Sequence, residues 1–149
     1  MVYMEMYLIS ILPLYTHRIF TGKKKIELRR FFGLRPSPGS LFVVYSSGSV
    51  RAIVGEFYAG EVFVGSPEEV GEIALRGETG VSKGDLRYIK GSRMAVGIEI
   101  RGARLYRRPV KLEELRTIFP GFQPPLSFRV LREDEPLYVL LIKKLRELS

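Results

Sequence analysis

The chain has 149 residues, with 24 Lys and Arg against 16 Asp and Glu, one histidine and no cysteine. That length suits one domain with a real core; the lack of cysteine rules out disulfides and thiolate chemistry, and His17 alone cannot build a zinc site of the usual kind. No apolar run approaches a membrane span, and Glu5 stands where a signal peptide wants positive charge, which points to a cytoplasmic protein.

Asparagine is absent and Gln123 is the single glutamine, a depletion of heat-labile amides that suggests a thermophilic source. The net charge of +8 is unevenly spread. Residues 18–35 hold seven Lys/Arg against Glu27 alone, and residues 87–111 hold eight against Glu99 alone, whereas residues 61–85 hold six acids against two bases. If the two basic stretches are neighbours, they form one surface that attracts phosphate. The alternative reading is two solvated strand faces.

In chain order, Tyr7 to Leu12 reads as a buried strand. Pro13 then opens a short helix with Leu14, Tyr15, Ile19 and Phe20 on its apolar face, and Gly22 suits the left-handed residue that ends it. His17 falls mid-helix as a surface or partly buried residue. Ile26 and Leu28 alternate with Glu27 and Arg29, which predicts a strand with one apolar face and one charged face. Phe31 to Ser40 is a loop, Leu41 to Tyr45 a strand, and Ser46 to Ser49 a turn that its own hydroxyls serve.

Val50 to Val64 changes phase at Gly60, and Met94 to Leu105 does so at Gly102. A glycine at a parity switch marks a β-bulge, and two long bent strands argue for a small closed or nearly closed barrel. Between them, Ser66-Pro67-Glu68-Glu69 is a capping box that starts a helix packed through Val70, Ile73 and Ala74. Ser82 opens a second short helix with Leu86 and Ile89 inward. Glu68, Glu69 and Asp85 fit helix N-termini through the dipole; the other reading has one of them over a pocket.

Arg101, Arg104, Tyr106, Arg107 and Arg108 form a basic run with an aromatic among them. Tyr106 there either stacks a base while Arg104 and Arg108 hold phosphate, or is an ordinary strand tyrosine. Leu112 and Leu115 mark a short helix, Phe119 to Pro125 a rigid loop, and Ser127 to Leu131 a last extended segment. Leu137, Leu140, Leu141, Leu145 and Leu148 recur at helical spacing, as a packing element or a homodimer contact. The whole reads as a mainly-β α+β fold: one domain over residues 1–149, a small β-barrel with short flanking helices, and residues 109–149 as a C-terminal extension packed on it.

The stretch that carries chemistry is Thr21 to Arg30. Lys24 sits where a helix end meets a strand start, and Glu27 and Arg29 follow about 7 Å apart on one strand face. Three charged groups converge there. Lys24 would serve as a base or as a phosphate-binding cation; in the alternative, Glu27 merely neutralises Lys24 or Arg29 inside a barrel.

Gly22, Lys24, Glu27 and Arg29 match position for position the Gly-x-Lys-x-x-Glu-x-Arg signature of the ASCH family, a branch of the PUA-like β-barrels. The Pro13 to Phe20 helix and the strands Val43 to Ser47 and Ala52 to Phe57 resemble their ASCH counterparts, and Pro124 to Phe128 is similar to a tail of small archaeal members. The resemblance covers roughly residues 7–131. It implies an RNA-binding protein, with roles in transcription or translation control, and a ligand cleft at the motif. Lys24, Glu27 and Arg29 would read a base or sugar there, Lys23, Arg30, Arg104 and Arg108 would engage phosphate, and Ser46 or Ser47 would lie near the pocket. No metal, cofactor or membrane is implied.

Two alternatives stand beside that reading. One is a metal-independent hydrolase on a small modified nucleoside or RNA, with Lys24 and Glu27 catalytic. A bacterial member of this fold is an amidohydrolase on acetylated cytidine that uses the motif lysine, a threonine and a distant glutamate. Here Glu27 takes the position of that threonine, which departs from the pattern. With one histidine, a paired-histidine ribonuclease mechanism is unavailable to the chain. The other alternative is a non-catalytic regulatory module that holds a small ligand.

Overall fold

The computed structural model describes residues 5–147, with side chains to residue 144. Six strands form one curled, half-barrel sheet in the order β2-β5-β4-β3-β1-β6. They are β1 (Met6–Ile11), β2 (Ile26–Arg30), β3 (Leu41–Ser46), β4 (Ala52–Gly65), β5 (Ala95–Lys111) and β6 (Phe128–Leu131). The helices are α1 (Pro13–Phe20), α2 (Pro67–Ala74), α3 (Leu112–Ile118) and α4 (Pro136–Glu147), with a 3-10 turn over Lys83–Tyr88. β1 and β3 are parallel neighbours, so the chain between them must cross over; α1 and β2 make that crossing. The other pairings are antiparallel.

The long strands bend where sequence parity breaks. Ala59 pairs with Ile100 and Val62 with Ile98, so two residues of β4, Gly60 and Glu61, oppose Glu99 alone. A Cβ on Gly60 would collide with the Glu99 carboxylate and the Arg101 guanidinium. On the partner strand Gly102 takes φ +59° at a second register shift. Both bulges lie where the alternation of apolar residues places them.

Strand periodicity puts apolar residues on both faces of the sheet. On one face Ile9, Ile19, Phe42, Phe57, Val96 and Ile98 pack with α1. Tyr7, Phe42 and Phe57 stack there at ring separations of 4.9 and 5.1 Å. On the other, Met6, Leu8, Val43, Ile53 and Tyr106 pack under α3 and α4 through Leu112, Leu115, Leu137 and Leu141. A third cluster joins Ile26 and Leu28 to Val70, Ala74 and Ile89, so α2 and the segment after the 3-10 turn cover the apolar face of β2. The Ser66 capping box forms as its residues predict. In α1, Leu14 is exposed, and the packing stripe is Tyr15, Thr16 and Ile19 with the half-buried Phe20 beside them. Of the terminal leucines, Leu137 and Leu141 are buried, whereas the Leu145 side chain and Leu148 lie outside the described residues.

Candidate functional site

The end of α1 sets the site. Gly22, at φ +77°, donates its amide to the Ile19 carbonyl, and the Lys23 and Lys24 amides both bond the Arg18 carbonyl, at 2.9 and 3.0 Å. This tight reversal carries the chain from helix into β2. Lys25 is tied by its amide to the Thr79 carbonyl at 2.8 Å. Lys24 is thereby turned inward, and its Nζ lies 4.7 Å from the centre of the Tyr15 ring in a cation–π contact.

Glu27 is the hub. Its Oε1 accepts from Lys24 Nζ at 2.6 Å and its Oε2 from Arg29 Nη2 at 3.2 Å. Oε1 also takes the Leu28 amide at 3.2 Å. Lys24 and Glu27 are 6% and 4% exposed, so these charges meet where water screens them little. Burial alone would push the Glu27 carboxyl up, but the Lys24 and Arg29 charges beside it hold it below the usual carboxylate range. Arg29 reaches further, donating to the Ser10 carbonyl at 2.7 Å and to Ser127 Oγ at 3.5 Å.

These groups line a cleft of about 770 Å³. One wall is tyrosyl. The Tyr15 hydroxyl donates to Tyr88 Oη at 3.0 Å, Arg87 Nη2 donates to the same oxygen at 3.2 Å, and Asp85 Oδ1 lies 3.4 Å from the Tyr15 hydroxyl. Its bond to Tyr88, followed by burial, pushes the Tyr15 phenol up to about 12, while the bonds Tyr88 receives from Tyr15 and Arg87 lower its own. The Pro124, Pro125, Leu126 and Ser127 segment also lines the cleft. Phe32 and Leu126 are exposed at the rim. A cleft with a buried lysine, a half-buried arginine, hydroxyls and apolar lips suits a ligand with an anionic part and a flat apolar part.

Of the residues singled out in the sequence, Lys24, Glu27, Arg29, Arg30, Ser47 and, of the three helix-start acids, Asp85 line this cleft. Arg30 is held there by bonds to the Tyr88 and Lys90 carbonyls. Lys23 is exposed beside it and Ser46 is buried against Thr16 at 3.1 Å, so neither lines it. Arg104 instead pairs with the buried Glu56 at 3.5 Å, and Arg108 is exposed elsewhere on β5. Tyr106 is 4% exposed in the core beneath α3 and α4 and offers no face to a base: it follows the paired Leu105 onto the sheet face those helices cover. Tyr15, Tyr45, Arg51, Tyr88 and Ser127 join the cleft with no local pattern to announce them, because each comes from a different element. Among the described residues no group of three or more His, Asp or Glu is placed to hold a metal ion. None of their helices is long and apolar enough to cross a membrane.

No family model matches the chain. An ASCH domain-containing ribonuclease of Zymomonas mobilis is 30% identical over 128 residues, covering 85% of this chain and 84% of its own. The crystal structure of the ASCH protein of Zymomonas mobilis superposes with a TM-score of 0.76 at 28% identity, over 92% of this chain and 94% of that one. A serine-to-alanine variant of it gives 0.77, at 27% identity and over 92% and 95% of the two chains. The N-terminal domain of Staphylothermus marinus McrB shares the fold alone, with a TM-score of 0.56 at 17% identity over 95% and 94%. With its motif, curled sheet and relatives in agreement, the chain belongs to the ASCH domain family.

Proposed function

We propose that the protein binds RNA, seating one nucleotide in the cleft at Lys24, Glu27 and Arg29. The observation that carries this reading is the buried three-charge cluster: two cations share one carboxylate, which leaves net positive charge facing a cleft of about 770 Å³. Such a site attracts phosphate, while Tyr88, Phe32 and Leu126 give a base apolar surface to lie on. The relative's activity as a ribonuclease supports RNA as the ligand class. A role in transcription or translation control would follow from binding alone.

A second reading makes the protein a ribonuclease or nucleoside hydrolase. Tyr45 and Ser127 support it: a tyrosine and a serine stand in the same cleft as Lys24, and serine-to-alanine and tyrosine-to-phenylalanine variants of the Zymomonas mobilis protein have been crystallised. In cleavage, Lys24 would stabilise charge on the reacting phosphate and Glu27 would hold the ammonium in place.

The test is a titration of labelled single-stranded RNA at two salt concentrations, comparing wild type with Lys24→Met, followed by gel analysis of the RNA. Salt-sensitive binding that the variant weakens about tenfold or more supports the cleft as the binding seat. Equal binding by both proteins sinks it. Shortened RNA with wild type but not with Lys24→Met selects the second reading.

A further inference from the structure

β5 outruns its neighbour β2. Their pairing stops at Ile26 opposite Glu99, while β5 continues to Lys111. Further along, Gly55 pairs with Leu105 and Ile53 with Val110, so Val54 alone in β4 faces four residues of β5, Tyr106 to Pro109. The surplus must leave the ladder. Tyr106 turns into the core, and Arg107, Arg108 and Pro109 are exposed.

The charges on this knuckle differ from those before it. Arg101 is paired with Glu99 and Arg104 with Glu56. Arg107 and Arg108 take part in none of the ion pairs or side-chain hydrogen bonds of the described residues. Lys111, also exposed, pairs across the ladder with Ala52, next to Arg51. Arg51 lines the cleft, and its carbonyl accepts the Leu112 amide at 3.0 Å. It holds φ +52°, a strained value for a residue with a side chain. Arginines and a lysine thus run from the cleft wall along the end of β5. Unpaired, exposed cations in a row suit a repeating anion.

We propose that Arg107, Arg108 and Lys111, continuing from Arg51 at the cleft wall, bind the phosphodiester backbone of an RNA strand beyond the nucleotide held in the cleft. This rests on the cleft reading above and extends it: the ligand is a strand, and affinity grows with its length. The ridge contributes no base recognition, since the one aromatic in it is buried.

The experiment compares a labelled single-stranded 20-mer with a trinucleotide across a salt series. The proteins are wild type, the double variant Arg107→Gln/Arg108→Gln and Lys24→Met, each as the full chain. Both arginines are exposed, so the double variant keeps its fold. The expected result is tighter binding of the 20-mer than of the trinucleotide, with the double variant losing about tenfold on the 20-mer alone. Its slope of log K against log salt should fall by about 1.4, two phosphate contacts' worth on a single strand. Equal affinities for both lengths, or a double variant indistinguishable from wild type on the 20-mer, overturn the proposal. A weakened double variant beside an unaffected Lys24→Met supports the ridge and overturns the cleft as the nucleotide's seat.

Discussion

The Arg29 guanidinium donates to the Ser10 carbonyl at 2.7 Å, joining an edge strand of the sheet to the strand beside the opposite edge. No ladder hydrogen bonds link β2 to β1 or β6, so this side chain, with its bond to Ser127, fastens the curl across the gap. Lysine cannot present the same planar fork. Arg29→Lys should therefore cost about 2 kcal/mol, the scale of a hydrogen bond to a charged group. A urea denaturation series measures it; an unchanged midpoint would mean that packing alone holds the edges together.

Glu27 makes stability depend on acid. Its carboxyl is held below the ordinary range in the folded protein, so its contribution is full above the unfolded-state carboxylate pKa and is lost as pH falls through the folded value. Glu27→Gln leaves Lys24 buried without its counter-charge and should cost about 3 kcal/mol near neutral pH. The penalty should shrink on acidification, where wild type loses the same interaction. Denaturant midpoints near neutral pH and at about pH 3 decide; a penalty independent of pH would assign the loss to shape, not charge.

Gly80 supports the site from behind. It sits at φ +77°, and a Cβ there would run into the Lys23 carbonyl and come 3.0 Å from the Lys24 Cα. Its own carbonyl accepts from Arg18 Nη2 at 2.6 Å. Gly80→Ala should destabilise the fold by about 1–3 kcal/mol and displace the Lys24 segment. RNA affinity should fall with it. A variant that loses stability but keeps full affinity would uncouple this turn from the cleft.

Tyr15 and Tyr88 share a proton-bearing bond with Arg87 on its flank. In a spectrophotometric pH titration Tyr88 should ionise below an ordinary phenol and Tyr15 only near 12. Tyr88→Phe should abolish the low-pH phase and return Tyr15 toward an ordinary value, because its largest cause, the bond to Tyr88, is gone. If the early phase survives the substitution, another tyrosine carries it.

Much of this was legible because local patterns carried it. The alternation of Ile26 and Leu28 with Glu27 and Arg29 fixes which face of β2 is charged, and Gly22 fixes where α1 ends. Gly60 and Gly102 mark two of the three register shifts between β4 and β5, and the Ser66 box marks the start of α2. The basic stretches touch only in part: β2 pairs with the uncharged start of β5, Ala95 to Ile98, and Glu99, while Arg101 to Lys111 run on beyond it. Tyr106 proves to be the ordinary strand tyrosine of the two readings: it alternates with Leu105 onto the second face of the sheet, which α3 and α4 cover. Ser46 escaped because a turn serine and a serine buried against Thr16 look alike in sequence. Ser10 and Ser127 meet where the chain before β6 pairs with β1, and Tyr88 joins them in the cleft from the 3-10 turn; no window of neighbouring residues encodes either contact.

The cleft takes its first wall from β1 and its last from the segment just before β6, which pairs with β1. On the ribosome, then, the Lys24 segment emerges early but has no finished pocket around it until Pro124 to Ser127 have been made and β6 has docked. A chain cut short after α3 would carry the complete motif and still lack one side of the cleft. Completion of the cleft is thereby tied to synthesis of the segment that leads into β6, and products cut short before it lack that wall.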